Sequence, residues 1–187
     1  MPTYAAPGFP EKKLESRNAQ KVARLLAAKL KPLGFQRTKT SFYTRPRPLV
    51  IQFVHLHKFT FESSFRLHFG VRVRTDTFPA AHLNGPNSDE IRDPENPTLE
   101  RYRFWFDPEP ESLEACAEEI VQCVLAEGED WFRSVESAEH LLSTASPLTQ
   151  QARLALKREV EGSVSREASN ATQQALNAAL YLPKQEQ

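Results

Sequence analysis

The stretch Phe65-Arg66-Leu67-His68-Phe69-Gly70-Val71-Arg72-Val73-Arg74 decides the fold. Phe65, Leu67, Phe69, Val71 and Val73 alternate with Arg66, His68, Gly70, Arg72 and Arg74. A strand sends successive side chains to opposite faces, so this alternation makes one buried face and one polar face. One-sided cover belongs to antiparallel sheets, whereas parallel strands are apolar on both faces. Working upstream, residues 59–64 turn the chain and residues 49–57 read as the neighbouring strand. There Leu49, Ile51 and Phe53 share one face and Val50, Val54 and Leu56 the other, the pattern of a central strand covered on both sides. Residues 35–44, rich in Thr and aromatics, read as an earlier strand, with Arg45-Pro46-Arg47-Pro48 as the turn after it. Downstream, residues 101–106 read as a further strand, with Tyr102, Phe104 and Phe106 on one face and Arg101, Arg103 and Trp105 on the other.

Helices flank these strands. Pro10 and Glu11 suit the first turn of a helix, and Leu14, Val22, Leu25, Leu26 and Leu30 form its apolar stripe. Pro32 and Gly34 stop it. After Asp107-Pro108, which read as a cap, Leu113, Cys116, Ala117, Ile120, Val121, Val124 and Leu125 recur at helical spacing. The opposite side of that helix carries Glu109, Glu111, Glu114, Glu118 and Glu119, and Gly128 reads as its end or a bend. The expectation is therefore an α+β domain over residues 10–145, with a mostly antiparallel sheet of about four or five strands packed by an N-terminal helix and an acidic helix. Residues 1–9 form a flexible arm and residues 146–187 a helical C-terminal extension. Residues 76–100 hold Pro, Asn and Gly without periodicity, and a loop of that length is either functional or disordered.

Composition limits the function classes. The 187 residues carry 24 Lys and Arg against 24 Asp and Glu. The balance hides a split: residues 1–75 hold 15 basic and 3 acidic side chains, net +12, and residues 76–187 hold 9 and 21, net −12. This layout either neutralises itself within one fold or leaves a basic face for an acidic partner. Cys116 and Cys123 lie two turns apart on one helix, too far for a disulfide, and without CxxC or His spacing for zinc. They read as buried thiols. No signal peptide and no apolar run long enough for a bilayer is visible, so the expectation is a cytoplasmic protein with no membrane partner. The motifs GxSxG, GxxxxGK[ST], HExxH and GxGxxG are absent, and 6 Gly leave little for a phosphate-cradling loop. The expectation leans against an enzyme, with no catalytic residues and no cofactor.

The run Leu30-Lys31-Pro32-Leu33-Gly34-Phe35, followed by Ser41-Phe42-Tyr43, resembles the opening of a bacterial family known as domain of unknown function 4304, a helix ending before a Gly-Phe and a strand with a Phe-Tyr pair. Residues 50–58, residues 65–71 ending past Gly70, and residues 113–132 running into an aromatic patch are similar to that family's later segments. The resemblance covers about residues 20–142. His57 and His68 depart from it, since the family often has Gln and Asn near those positions. The resemblance implies the fold; it carries no catalytic residues. Members are sometimes regarded as immunity proteins that act beside secreted toxins, which would make this chain a toxin-neutralising protein.

Two constellations stand out. Arg66, His68, Arg72 and Arg74 on the polar face of the third strand, joined by Arg101, Arg103 and Trp105, would form an Arg-rich patch with an aromatic ring. That chemistry fits an acidic protein partner, because Trp and Arg are frequent binding hot spots. It also fits single-stranded nucleic acid, with charge for phosphate and a ring for stacking. The alternative to both is that the acidic helix from Glu109 covers or flanks the face and neutralises it. His55 and His57 share one strand face and His68 lies on the next strand, a potential donor set for zinc or nickel. Leu49, Ile51 and Phe53 lie on the same side, and the expectation is ordinary hydrogen bonding with no metal. The sequence thus points first to non-catalytic protein binding, next to nucleic-acid binding, and third to an uncharacterised enzyme. The oligomeric state is open.

Overall fold

A computed structural model describes residues 9–76, 78, 80–106 and 110–162. The architecture is α+β: one antiparallel sheet of five strands in the order β1-β2-β3-β4-β5, with helices against it. The strands are β1 (Gln36–Lys39), β2 (Phe42–Pro46), β3 (Val50–Lys58), β4 (Ser64–Val73) and β5 (Phe104–Trp105). The helices are α1 (Pro10–Leu30), α2 (Pro110–Cys123), α3 (Glu129–Ser134), α4 (Ala138–Leu142) and α5 (Gln150–Val160). The expected caps at residues 107–109, the arm over residues 1–8 and the extension beyond residue 162 lie outside the described residues.

β4 has the two faces its alternation predicts. Phe65, Leu67, Phe69, Val71 and Val73 are buried in the main core with Val50, Val54 and Leu56 of β3. Register makes this one surface: Val50 faces Val73, Val54 faces Phe69 and Leu56 faces Leu67. α1 lays Val22, Leu26 and Leu30 on it, and α2 lays Leu113, Ile120 and Val124. Phe132 of α3 packs edge-on against Phe69, with ring centroids 5.8 Å apart. Gly128 permits that approach, because a Cβ there would sit 2.6 Å from the Phe69 ring. Gly128 therefore does not end the helix. Residues Val124–Gly128 form a π-helical turn that carries α2 directly into α3, the kind of insertion that bends a helix without breaking it. α5 adds Leu148 before its start, then Ala152 and Leu156, to the same core.

Three strand readings need correction. Residues 35–44 are not one strand: β1 and β2 form a hairpin, with Gln36 opposite Thr44 and Arg37 opposite Tyr43. The turn at Thr40-Ser41 is held by the Arg37 guanidinium donating to Thr40 O. Arg45 belongs to β2 rather than to the turn, which falls at residues 47–49 and is closed by Arg47 N donating to Val50 O at 2.8 Å. The downstream strand shrinks to Phe104–Trp105, because residues 101–103 follow α2 and its π-helical turn rather than β4.

The long loop is ordered through its described part and seals an edge. β5 pairs with β4 only at Ser64 and Phe65. Beyond it the loop takes over. Leu67 N donates to Ser88 Oγ, Phe69 N to Pro86 O, and the Asn84 amide both accepts from Val71 N and donates to Val71 O. Exposed strand edges invite stray pairing, and these bonds consume this one.

Candidate functional site

The face of the sheet away from α1 and α2 is the candidate site. Register places Phe42, Thr44, Ile51, Phe53, His55, His57, Arg66, His68, Gly70 and Arg72 on it, and Trp105 joins by pairing with Ser64. Among the described residues no helix packs on its centre, but the face is not uniform. At one end Ile51 packs with Phe42 and Ala81. The tip of the Phe53 ring occupies the space beside Gly70, where a Cβ would come within 2.2 Å of it. Arg72, 3% exposed, donates to the carbonyls of Asp76, Phe78 and Ala80 and so anchors the start of the long loop. Burial pulls its pKa down, partly offset by Asp76.

The other end holds the imidazoles. His55 faces His68 across β3 and β4, and the rings stack with centroids 5.8 Å apart. His57 is 6.2 Å from His55 and 6.4 Å from His68. Phe42 lies 4.4 Å from the His55 ring and Phe59 meets His57 edge-on at 5.6 Å. Burial, then the neighbouring imidazoles, pushes the His55 pKa down to about 4. Burial and the charge of Arg66 also lower that of His68, against Asp89 and Glu90, which act the other way. Arg66 is ion-paired to Asp89 and stacks over Phe59, 4.9 Å from the ring centre.

The seven predicted partner-binding residues are thus scattered in role. Arg66 and His68 reach the outer face. Arg72 is there but buried, with both Nη groups committed to loop carbonyls. Arg74, just past β4, is half-buried. Arg101 turns toward the helical layer, pairing with Glu127 at 2.7 Å, and its backbone neighbour Tyr102 reaches the same carboxylate. Arg103 is exposed beside Glu100, and its backbone N–H donates to Glu119 Oε1. Trp105 is 47% exposed. Arg101 and Trp105 therefore do not share a face, and the Arg-rich patch expected from alternation over residues 101–106 is not assembled. The acidic helix does not cover the sheet's outer face; its Glu114 and Glu118 pair with Lys29 of α1.

One feature was missed in the sequence, the exposed aromatics near the turn between β3 and β4. Phe61 is 71% exposed and Phe9 57%. Lys12 Nζ donates to Thr60 O at 2.7 Å, which sets the first turn of α1 against that turn. Phe106 N donates to Ser63 O, which brings Trp105 alongside. The amphipathic α1 carries a basic stripe opposite its apolar one. Lys13, Arg17, Lys21 and Arg24 are exposed and recur at i+4, i+4 and i+3, on the side opposite Val22 and Leu26.

Cys116 and Cys123 are buried and unpaired, with thiol pKa values raised to about 12 by burial; such thiols are poor nucleophiles. Among the described residues no helix is long and apolar enough to cross a membrane. Fold and surface together define an α+β domain with one sheet face met, among the described residues, by loops and side chains. No family model, no curated protein and no solved structure matches the chain.

Proposed function

We propose that this chain is a non-catalytic protein-binding domain whose partner docks at the aromatic end of the sheet. The observation that carries the reading is the exposure of Phe61 in the turn between β3 and β4, and of Phe9 and Trp105 near Lys12 and Phe106, which bond that turn; each of the three is about half exposed or more. Exposed large aromatics at one end of a sheet mark interaction surfaces, and they supply much of the binding energy where a partner covers them. Arg66, held over Phe59 beside them, adds a cation at the rim. The resemblance to the domain of unknown function 4304 family supports a finer reading, in which the partner is an antibacterial toxin and the chain is its cytoplasmic immunity protein. The test is co-expression with the product of the adjacent gene. A neighbour that is toxic alone, harmless with this chain, and released by Trp105→Ala with Phe61→Ala supports the role. A neighbour that is harmless without this chain overturns it.

A second reading, nucleic-acid binding, draws on the α1 stripe rather than on the sheet. The arginines of the sheet are paired or buried, whereas Lys13, Arg17, Lys21 and Arg24 form a continuous exposed row. Phosphate contacts by such a row make affinity fall steeply with salt. Retention of DNA or RNA at low salt, lost with Lys21→Glu and Arg24→Glu, would favour this reading; no retention at low salt removes it.

A further inference from the structure

The outward side of α5 carries a groove that the aromatic docking end does not use. Leu142 of α4 and Arg153, Leu154, Lys157, Val160 and Glu161 of α5 and its C-terminal end line it, and it encloses about 450 Å³. Leu142 is 37% exposed, and Leu154 and Val160 are each 50% exposed. Ala152 and Leu156 are the residues that α5 buries in the core. The helix is therefore apolar on two sides, and the core seats only one of them. A second apolar side on a helix calls for a second element to cover it. The lining reaches from Gln150 to Glu161, so the groove follows α5 for about 16 Å at the helical rise of 1.5 Å per residue.

The chain itself supplies such an element at the rim of the groove. Gly162 follows the lining residue Glu161, has φ +69°, and donates its N–H to Glu159 O. A left-handed glycine in this place closes a helix and redirects the chain. Beyond it, residues 168–182 sort at helical spacing. Asn170, Gln173, Gln174, Asn177 and Tyr181 fall on one side, and Ala168, Ala171, Ala175, Leu176, Ala179 and Leu182 on the other. Pro183 ends the pattern. No residue from 168 to 182 is charged, so covering its apolar side strips water from no charge. Residues 163–167 have the length that connects neighbouring antiparallel helices. The tether also keeps the segment at an effective concentration of roughly millimolar beside the groove.

We propose that residues 168–182 dock in this groove as a helix antiparallel to α5, with their alanine and leucine side against Leu142, Leu154 and Val160. The occupant is the chain's own segment rather than a second copy, because its tether starts at the rim. Thr75 Oγ1 donates to Glu159 Oε2, which sets α5 by the Val73 end of β4. Trp105 pairs with Ser64 at the other end of that strand. The groove and the aromatic docking end are separate surfaces, so either reading survives failure of the other.

The experiment is hydrogen exchange on the full chain, read by mass spectrometry. Amides over residues 170–182 should exchange at least about tenfold more slowly than those of an unstructured chain. Leu176→Glu in the segment and Leu154→Glu in the groove should each remove that protection, and the double variant should be no worse than either alone. Leu99→Glu, at an equally exposed leucine of the long loop, should leave it intact. Because Leu154 is half exposed, its replacement should spare the protected amides of Phe69 and Val71 in β4, which report that the body is folded. Unprotected amides over residues 170–182 in the unaltered chain overturn the proposal, and so does protection that survives Leu154→Glu. Light scattering that finds a dimer, reduced to monomers by Leu176→Glu, would seat a second copy in the groove and overturn it as well.

Discussion

Arg45 of β2 and Glu129 of α3 form a two-bond fork across the layer between sheet and helices, Nη1 to Oε1 at 2.8 Å and Nη2 to Oε2 at 3.0 Å. The guanidinium also donates to Gln52 Oε1 and Leu33 O, and lies 4.3 Å from the centre of the Phe35 ring. It thus joins the hairpin, the end of α1 and the start of α3 at one point. Its side chain is 9% exposed and that of Glu129 24%. Removing one member of a buried pair strands the other charge, at a cost of about 3–5 kcal/mol. Glu129→Ala should therefore lose about 3 kcal/mol in urea denaturation. Arg45→Lys should lose nearly as much, because an ammonium cannot make the fork or lie flat on Phe35. A loss below about 1 kcal/mol in both would show the pair to be as weak as a surface one.

Gly70 and Phe53 are coupled by shape. A methyl group at residue 70 would meet the Phe53 ring 2.2 Å away, so Gly70→Ala forces the ring out of a fully buried position. Overpacking of this kind costs about 1–3 kcal/mol. Phe53→Leu should cost stability alone but recover part of the loss in the double variant. A double-mutant cycle reads that coupling, expected at 0.5 kcal/mol or more. Additive losses would mean the ring does not occupy the glycine's space.

The sequence exposed the sheet most clearly where one face meets a core and the other does not, as in β4. It misled where composition imitates a turn. Arg45-Pro46-Arg47-Pro48 has the residues of a turn, yet Pro46 takes the end of a strand, where its missing N–H costs little, and Arg45 is drawn inside by Glu129, 84 residues away. The Thr40-Ser41 turn, conversely, has neither Gly nor Asn to announce it. Residues 101–106 alternate like a strand, but Glu127 and Glu119 claim Arg101 and the Arg103 backbone. Such long-range pairings have no local signal. The histidines were visible one by one. Their convergence depends on the register set by the turn at residues 59–63, which alternation does not fix.

Stability should fall as the solution is acidified, through His55. Its pKa drops from an ordinary value near 6.5 to about 4 in the folded chain, because burial and then the charges of His68 and His57 disfavour the imidazolium. Between those values the unfolded chain holds the proton and the folded chain does not, so unfolding takes up protons and stability rises with pH. The contribution is complete above about pH 6.5 and is lost as pH falls toward 4. For a half-buried group, solvent screening reduces it to about 1–2 kcal/mol. Urea midpoints at pH 7.5 and pH 5 should differ by less in His55→Asn than in the unaltered chain. An equal pH dependence in the two would place the acid sensitivity elsewhere.

Arg72 should govern the long loop rather than bind a partner. It holds the carbonyls of Asp76, Phe78 and Ala80 on the sheet's outer face, while the later bonds from Asn84, Pro86 and Ser88 to β4 are independent of it. Arg72→Met keeps much of the volume and removes every donor. It should leave those carbonyls to find water, detaching residues 76–82 while the edge pairing at residues 84–88 persists. The expected loss is about 2–3 kcal/mol, of the order seen when buried polar groups lose their partners. Limited proteolysis should then cut within residues 76–82 at rates well above those of the unaltered chain. Hydrogen exchange at the Phe69 and Val71 amides, which the later loop residues hold, should change only by the global loss of stability. Protection lost at Phe69 and Val71 beyond that global loss would show that the loop docks as one piece, with Arg72 holding the β4 edge as well as the outer face.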